Sequence, residues 1–326
     1  MKKSFVIAVF LFVFVFTLIG GASAQDRLKF AWVPTISDPF YYMIGAGIAD
    51  TCEELGIDLV VTEYLRAWGA EIQVPVLEAT AARGDIDLII TGPAAIDSLI
   101  APLRMIYDQG IEIITVDTYI GSGDYSYESE YSFPLSFIGT DNFQGGVEVA
   151  HRLAPMMGEE GQVFISTTNP DVSSVVERVE GFIAGMEDYP NIEIVGVEYN
   201  LDNQERAQQQ TAAALQANPD ITGVFGTNLF SARGAYQAVV NAGLTGDVKI
   251  ASWDATEDLI QALRDGQVDL VLAQNPYAMG VLATEWGYKF FTEGAEVPKL
   301  INPEFFFFTR ENVDDPESQR YIYKVD

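Results

Sequence analysis

Short apolar runs alternate with longer amphipathic segments along almost the whole chain, and that alternation constrains the fold more than any other feature. Leu28–Val33, Ile57–Thr62, Ile86–Ile90 and Ile111–Val116 read as buried strands. Between them, helices are expected at Pro39–Leu55, from Gly69 to Arg83-Gly84, and at Ala95–Gln109. Asp38 and Pro39 supply an N-cap and a first helical residue for the first helix, and Gly56 a stop. Repeated strand–helix units with fully apolar strands call for a parallel sheet covered by helices on both faces.

The series is interrupted once. In Ser136–Gly146 an extended apolar pair, Phe137-Ile138, runs directly into a helix that Thr140 or Asp141 can cap. Gly145 and Gly146 let that helix lie close to its neighbour. The pattern then restarts. Strands are expected at Gln162–Ser166, Ile192–Glu198, Ile221–Gly226, Val248–Ser252, Val268–Ala273 and Phe305–Phe308, the last as a buried strand. Helices are expected at Asn142–Met157, Ser173–Glu187, Asn203–Ala217, Phe230–Ala242, Thr256–Arg264 and Tyr277–Phe291. Two similar doubly wound α/β lobes account for this layout better than one enlarged sheet.

Residues 1–24 stand apart. Lys2 and Lys3 precede an apolar run, Phe5–Ile19, and Ala22-Ser23-Ala24 forms a small-residue cleavage site, the layout of a secretory leader. The run is short for a membrane span, and no Cys follows the cleavage point to carry a lipid. A soluble periplasmic protein is expected. The only Cys, Cys52, cannot form an intramolecular disulfide and reads as a small core residue. With 18 Lys and Arg against 47 Asp and Glu, the net charge of −29 repels nucleic acid and anionic lipid.

In parallel α/β sheets, ligands bind beyond the carboxyl ends of the strands. Here those positions carry Asp38, Phe40 and Tyr41, then Trp68, Asp117 and Thr118, and in the second half Asn228, Trp253, Asp254 and Gln274. Aromatic rings cover the C–H faces of a sugar, while carboxylates and amides bond to its hydroxyls. Each residue also has a plainer use. Asp38, Asp117, Asn228 and Asp254 can cap turns or helices, Phe40 and Tyr41 can be core, and Arg178 within a helix can be a surface residue. Recurrence at the same topological place in both halves favours a site. Gly45-Ala46-Gly47 lies inside a helix and is not a dinucleotide fingerprint.

Asp38-Pro39-Phe40-Tyr41 resembles the Asn-Pro-Phe-Phe opening of ribose-binding-type (type I) periplasmic solute-binding proteins of sugar ABC transporters. Thr115-Val116-Asp117, Thr140-Asp141-Asn142, Glu177-Arg178, Val224-Phe225 with Asn228, Trp253-Asp254 and Ala273-Gln274 follow in that family's order. The resemblance implies two lobes joined by three hinge strands that close on a monosaccharide and present it to a membrane permease. It implies that Phe40 and Trp253 sandwich the sugar ring with Tyr41 beside them. Asp117, Arg178, Asn228, Asp254 and Gln274 would bond its hydroxyls. Hinges are expected near Gly139–Asp141, Gln274–Pro276 and Phe307–Thr309. The lobes would then span 26–139 plus 275–307 and 140–274 plus 308–326.

The sequence also departs from the family pattern. Thr118 stands where the family commonly has Arg, Asp38 where it has Asn, and Thr91-Gly92-Pro93 lacks a usual Asn. Gly121–Pro134, rich in Tyr, Ser and Glu, is an insertion. These changes point away from ribose to another pentose, a hexose, a furanose or a sugar alcohol. Asp38, Asp117 and Asp254 against Arg178 alone predict a neutral ligand. The expected protein is a monomeric transport receptor without a cofactor. A chemotaxis or quorum-signal receptor is the alternative within the same class. A transcriptional regulator would need a DNA-binding head, and an enzyme has little to work with in one histidine, His151, expected on a helix surface.

Overall fold

The computed structural model describes residues 27–324. The expected leader, 1–24, lies outside the described residues. The first half forms strands β1 (Lys29–Val33), β2 (Asp58–Val61), β3 (Leu88–Thr91), β4 (Glu112–Val116) and β5 (Ser136–Ile138). Helices α1 (Pro39–Leu55), α2 (Ala70–Ala81) and α3 (Ile100–Tyr107) connect them. After α4 (Asn142–Met156) come β6 (Gly161–Thr167), α5 (Ser173–Met186), β7 (Ile192–Tyr199), α6 (Gln204–Ala217) and β8 (Ile221–Gly226). Next are α7 (Leu229–Asn241), β9 (Lys249–Trp253), α8 (Glu257–Arg264), β10 (Leu270–Ala273) and α9 (Pro276–Glu293). Two short strands end the series, β11 (Leu300–Ile301) and β12 (Phe306–Phe308).

The strands form two six-stranded sheets, ordered β11-β5-β4-β3-β1-β2 and β12-β10-β9-β8-β6-β7. Every pairing in the first sheet is parallel. The second is parallel except where β12 runs antiparallel to β10. The central strands are buried along their whole length, as Leu-Ile-Ile-Thr in β3 shows, because helices cover both faces. Cys52 is buried in α1, as a small core residue should be.

Three expectations need correction. Helix α3 starts at Ile100, five residues after the expected Ala95. Pro102 can sit in the first turn of a helix beginning at Ile100, but in one begun at Ala95 it would remove an interior hydrogen bond. The Phe305–Phe308 run is an edge strand in which only Phe308 is fully buried. Its residues Phe306 and Phe307 pair with Ala273 and Leu272 of the second sheet. The chain's third passage between sheets therefore falls between Ile301 and Phe306, ahead of the expected Phe307–Thr309. The other two passages lie between Ile138 and Asn142 and between Ala273 and Pro276.

Asp141 is the residue that caps α4, accepting from the Gln144 amide, while Thr140 donates its hydroxyl to Gln274. Gly145 and Gly146 make the close approach possible. A Cβ on Gly145 would lie 2.5 Å from the Trp253 ring, and one on Gly146 would lie 2.4 Å from the Arg178 carbonyl oxygen. Helix α5 is thereby held against α4 and its Arg178 is aimed at the gap between the sheets.

Candidate functional site

The carboxyl ends of both sheets face one polar cavity, with about 340 Å³ of space not filled by atoms, part of it open to solvent. Asp38, Phe40, Tyr41, Trp68 and Asp117 line it from the first sheet. Arg178, Asn228 and Asp254 line it from the second, with Gln274 at the passage between them.

Local backbone rules put these side chains where they are. Asp38 caps α1 by accepting from the Phe40 amide at 2.8 Å, and its side chain also lines the cavity. The next turn of α1 then brings Phe40 and Tyr41 inward, their rings edge to face at 5.3 Å. Asp117 and Asp254 immediately follow β4 and β9, and both have left-handed backbones, φ 63° and φ 74°. A non-glycine residue held there is strained, and such strain gathers at functional sites. Asn228 caps α7 through the Ser231 amide while its Nδ2 donates to Asp202 Oδ1 at 2.5 Å.

Arg178 is the hub. It is 3% exposed. Its Nε donates to Asn142 Oδ1 at 2.8 Å, its Nη1 to the Thr227 carbonyl at 3.0 Å, and its Nη2 lies 3.9 Å from Asp117 Oδ1. Asp117 also accepts from the Tyr41 hydroxyl at 2.6 Å. Asp254 accepts from Gln274 Nε2 at 2.9 Å, from the Tyr323 hydroxyl at 3.0 Å and from the Leu229 amide at 3.3 Å.

Burial sets the protonation of the acids. The Asp38 carboxyl is pushed up to about 8, first by burial and then by the nearby Asp254 charge. Burial also raises Asp117, to about 6, against the pull of Arg178 and the Tyr41 hydrogen bond. Asp202 is raised by burial as well. At neutral pH the cavity thus holds both protonated and charged carboxyls, able to donate to and accept from ligand hydroxyls.

Two expected contacts are absent from the cavity lining. Trp253 is 0% exposed and packs among Val149, Leu153, Phe182 and Phe225, beneath Arg178 and not against the cavity. Residues alternate across a strand, so Trp253 points into the helix layer while the residue after it turns toward the cleft. Thr118 is fully buried and spends its hydroxyl on the Pro93 carbonyl at 2.8 Å. Residues that sequence reading missed include Asp202, which accepts from the Trp68 indole N–H, and Tyr323 beside Asp254. Asp202 stands three residues past β7, within reach of the strand-end rule. Tyr323 offers no local signal. His151 sits on α4, outside the cavity lining, with Nε2 3.1 Å from Asp188. Among the described residues no cluster of His, Cys, Asp or Glu is placed to hold a metal ion.

Comparison with known proteins matches the same geometry. The family model described as "Periplasmic binding protein domain" matches residues 31–294. The ribose import binding protein RbsB of Salmonella typhimurium is 26% identical over 269 residues, covering 82% of this chain and 86% of its own. The D-allose-binding periplasmic protein of Escherichia coli is 25% identical over 294 residues, 89% of this chain and 94% of its own. Among solved structures, an ABC transporter solute-binding protein from Agrobacterium vitis bound with alpha-D-tagatopyranose superposes with a TM-score of 0.88 and 34% identity, covering 92% of this chain and all of that one. The chain therefore belongs to the periplasmic binding proteins, in their ribose-binding-type, sugar-binding branch.

Proposed function

We propose that the protein captures a neutral monosaccharide or polyol between two lobes and delivers it, as a monomer, to the membrane permease of an ABC transporter. It is a binding protein and not an enzyme. The observation that carries this reading is a cavity shared by the carboxyl ends of both sheets, with Asp117 facing Arg178 across it. The relatives named above bind ribose, D-allose or tagatose by their descriptions, which supports a monosaccharide as the ligand. Phe40 covers one face of the ring. Asp38, Tyr41, Asp117, Arg178, Asn228, Asp254 and Gln274 bond to its hydroxyls, Trp68 offers its ring, and Asp202 stands behind Trp68 and Asn228, accepting from both.

The periplasm is the site of action, and residues 1–24 serve as the export leader. The lobes meet at three connections, near Gly139–Asp141, Gln274–Pro276 and Asn302–Phe305. Only the closed arrangement lets one ligand touch Asp117 and Asp254 at once, so ligand favours closure by that differential affinity.

A thermal-shift panel of pentoses, hexoses, ketoses and alditols tests the ligand class. A true ligand at a hundred times its Kd adds about 2.7 kcal/mol of stability. Small-angle scattering then tests the mechanism. The radius of gyration should fall with ligand, and Asp117→Ala and Asp254→Ala should each impair the fall. A uronic acid or sugar phosphate as the tightest binder would overturn the neutral-ligand reading. A wild-type radius unmoved at saturation would overturn capture by closure.

A further inference from the structure

The two halves of the molecule also touch away from the sugar cavity, beside α5. Tyr119, two residues past Asp117, donates its hydroxyl to Glu177 Oε1 at 2.7 Å, and its amide donates to Ser173 Oγ at 3.1 Å. Ser173 and Glu177 are four residues apart on α5, hence neighbours on one face of that helix. Neither Tyr119 nor Glu177 lines the sugar cavity. The adjacent residue Arg178 does, so one helix meets the post-β4 segment on both sides: Arg178 with Asp117 inside the cavity, Ser173 and Glu177 with Tyr119 outside it.

The Tyr119 side is built to stay in place. Its ring meets Phe137 edge to face at 5.1 Å. Behind it lies the insertion 121–134, where Gly123 has φ +73° and a Cβ would come 2.7 Å from the Tyr119 ring. A side chain there would be both strained and in collision. Tyr125 pins the same loop to the core, its hydroxyl 3.1 Å from Thr115 Oγ1 and accepting from the Ile120 amide at 3.3 Å. The insertion thus acts as a back wall that holds Tyr119 toward α5.

We infer that Tyr119 and Glu177 are positioning residues for sugar capture, forming a latch that favours the closed lobes without touching the ligand. This rests on the two-lobe reading above, though not on which sugar is bound. A protein whose competent state is partly populated binds with apparent Kd equal to the intrinsic Kd divided by that population. Whatever the latch adds to the closed population it therefore adds to affinity. A half-buried hydrogen bond to a carboxylate shifts such an equilibrium by up to about tenfold.

The test needs no sugar. Spin labels on Glu63→Cys and Gln209→Cys, both exposed positions on opposite halves, report the distance between them by double electron–electron resonance. The sugar-free wild type should show a measurable closed population. Tyr119→Phe keeps the ring packed on Phe137 and should lower that population by up to about tenfold. Glu177→Gln keeps an acceptor and should fall between the two. A total loss in the double variant no larger than that of Tyr119→Phe alone identifies the pair as one contact. Equal distance distributions in wild type and Tyr119→Phe would sink the latch, as would a wild type with no closed population. Failure of every sugar to bind would instead count against the ligand class.

Discussion

The guanidinium carbon of Arg178 lies 4.3 Å over the centre of the Trp253 ring. Arg178 therefore has an aromatic floor, and the tryptophan acts on the cavity from beneath. Cation–π contact of a desolvated Arg is worth about 2 kcal/mol, and here it also fixes where the fork points.

This floor separates two substitutions. Trp253→Ala removes a fully buried ring and should destabilise the fold by about 3–5 kcal/mol. Trp253→Phe loses no hydrogen bond, since the indole N–H has no partner among the described residues. It should fold, and should weaken sugar affinity by about 1 kcal/mol through looser placement of Arg178. Chemical denaturation and calorimetric titration measure the two quantities. A stable Trp253→Ala protein that merely binds weakly would place the ring at the ligand after all.

Arg178→Lys keeps the charge but not the fork. Lysine cannot reach Asn142 and the Thr227 carbonyl in the same geometry while facing Asp117. Titration should show affinity reduced by about 2 kcal/mol or more. An unchanged Kd would mean that Arg178 holds the lobe together and does not serve the ligand.

Phe40 is nearly buried at the cavity wall, its ring 6.0 Å from that of Tyr323. Phe40→Ala should cost one to a few kcal/mol of binding, the order expected for a central aromatic anchor. Phe40→Tyr keeps the aromatic face and should lose less. If both lose equally, the face is not what the ligand uses.

Acidity gives a further test. The Asp38 carboxyl rises from 3.8 in the unfolded chain to about 8 in the folded protein, so the native state holds a proton that the unfolded state has released. The stability this confers is complete below pH 3.8 and is lost as pH rises through about 8. Asp117 adds a similar decline that ends near pH 6. Asp38→Asn retains an oxygen for the Phe40 amide and cannot ionise. Its melting temperature should fall less steeply than that of the wild type between pH 4 and 8, with the gap widest at the alkaline end. Parallel curves would show that Asp38 titrates normally.

The strand–helix series, the caps at Asp38 and Asn228, and the strand-end placement of Asp117, Asp254 and Gln274 were all legible in the sequence. They are local: an apolar run bounded by a turn, or a short polar side chain ahead of a helix, specifies its own neighbourhood, and parallel strands bring their carboxyl ends to one edge. Tertiary structure decided the rest. Both faces of these sheets are covered, so an apolar Trp253 carries no mark of which face it takes. Tyr323 meets Asp254 across 69 residues, and Trp68 meets Asp202 across 134, contacts that no local pattern encodes. The third passage between the sheets was misplaced for the same reason. Phe305–Phe308 is apolar throughout, and only pairing with β10 determines that it belongs to the second sheet.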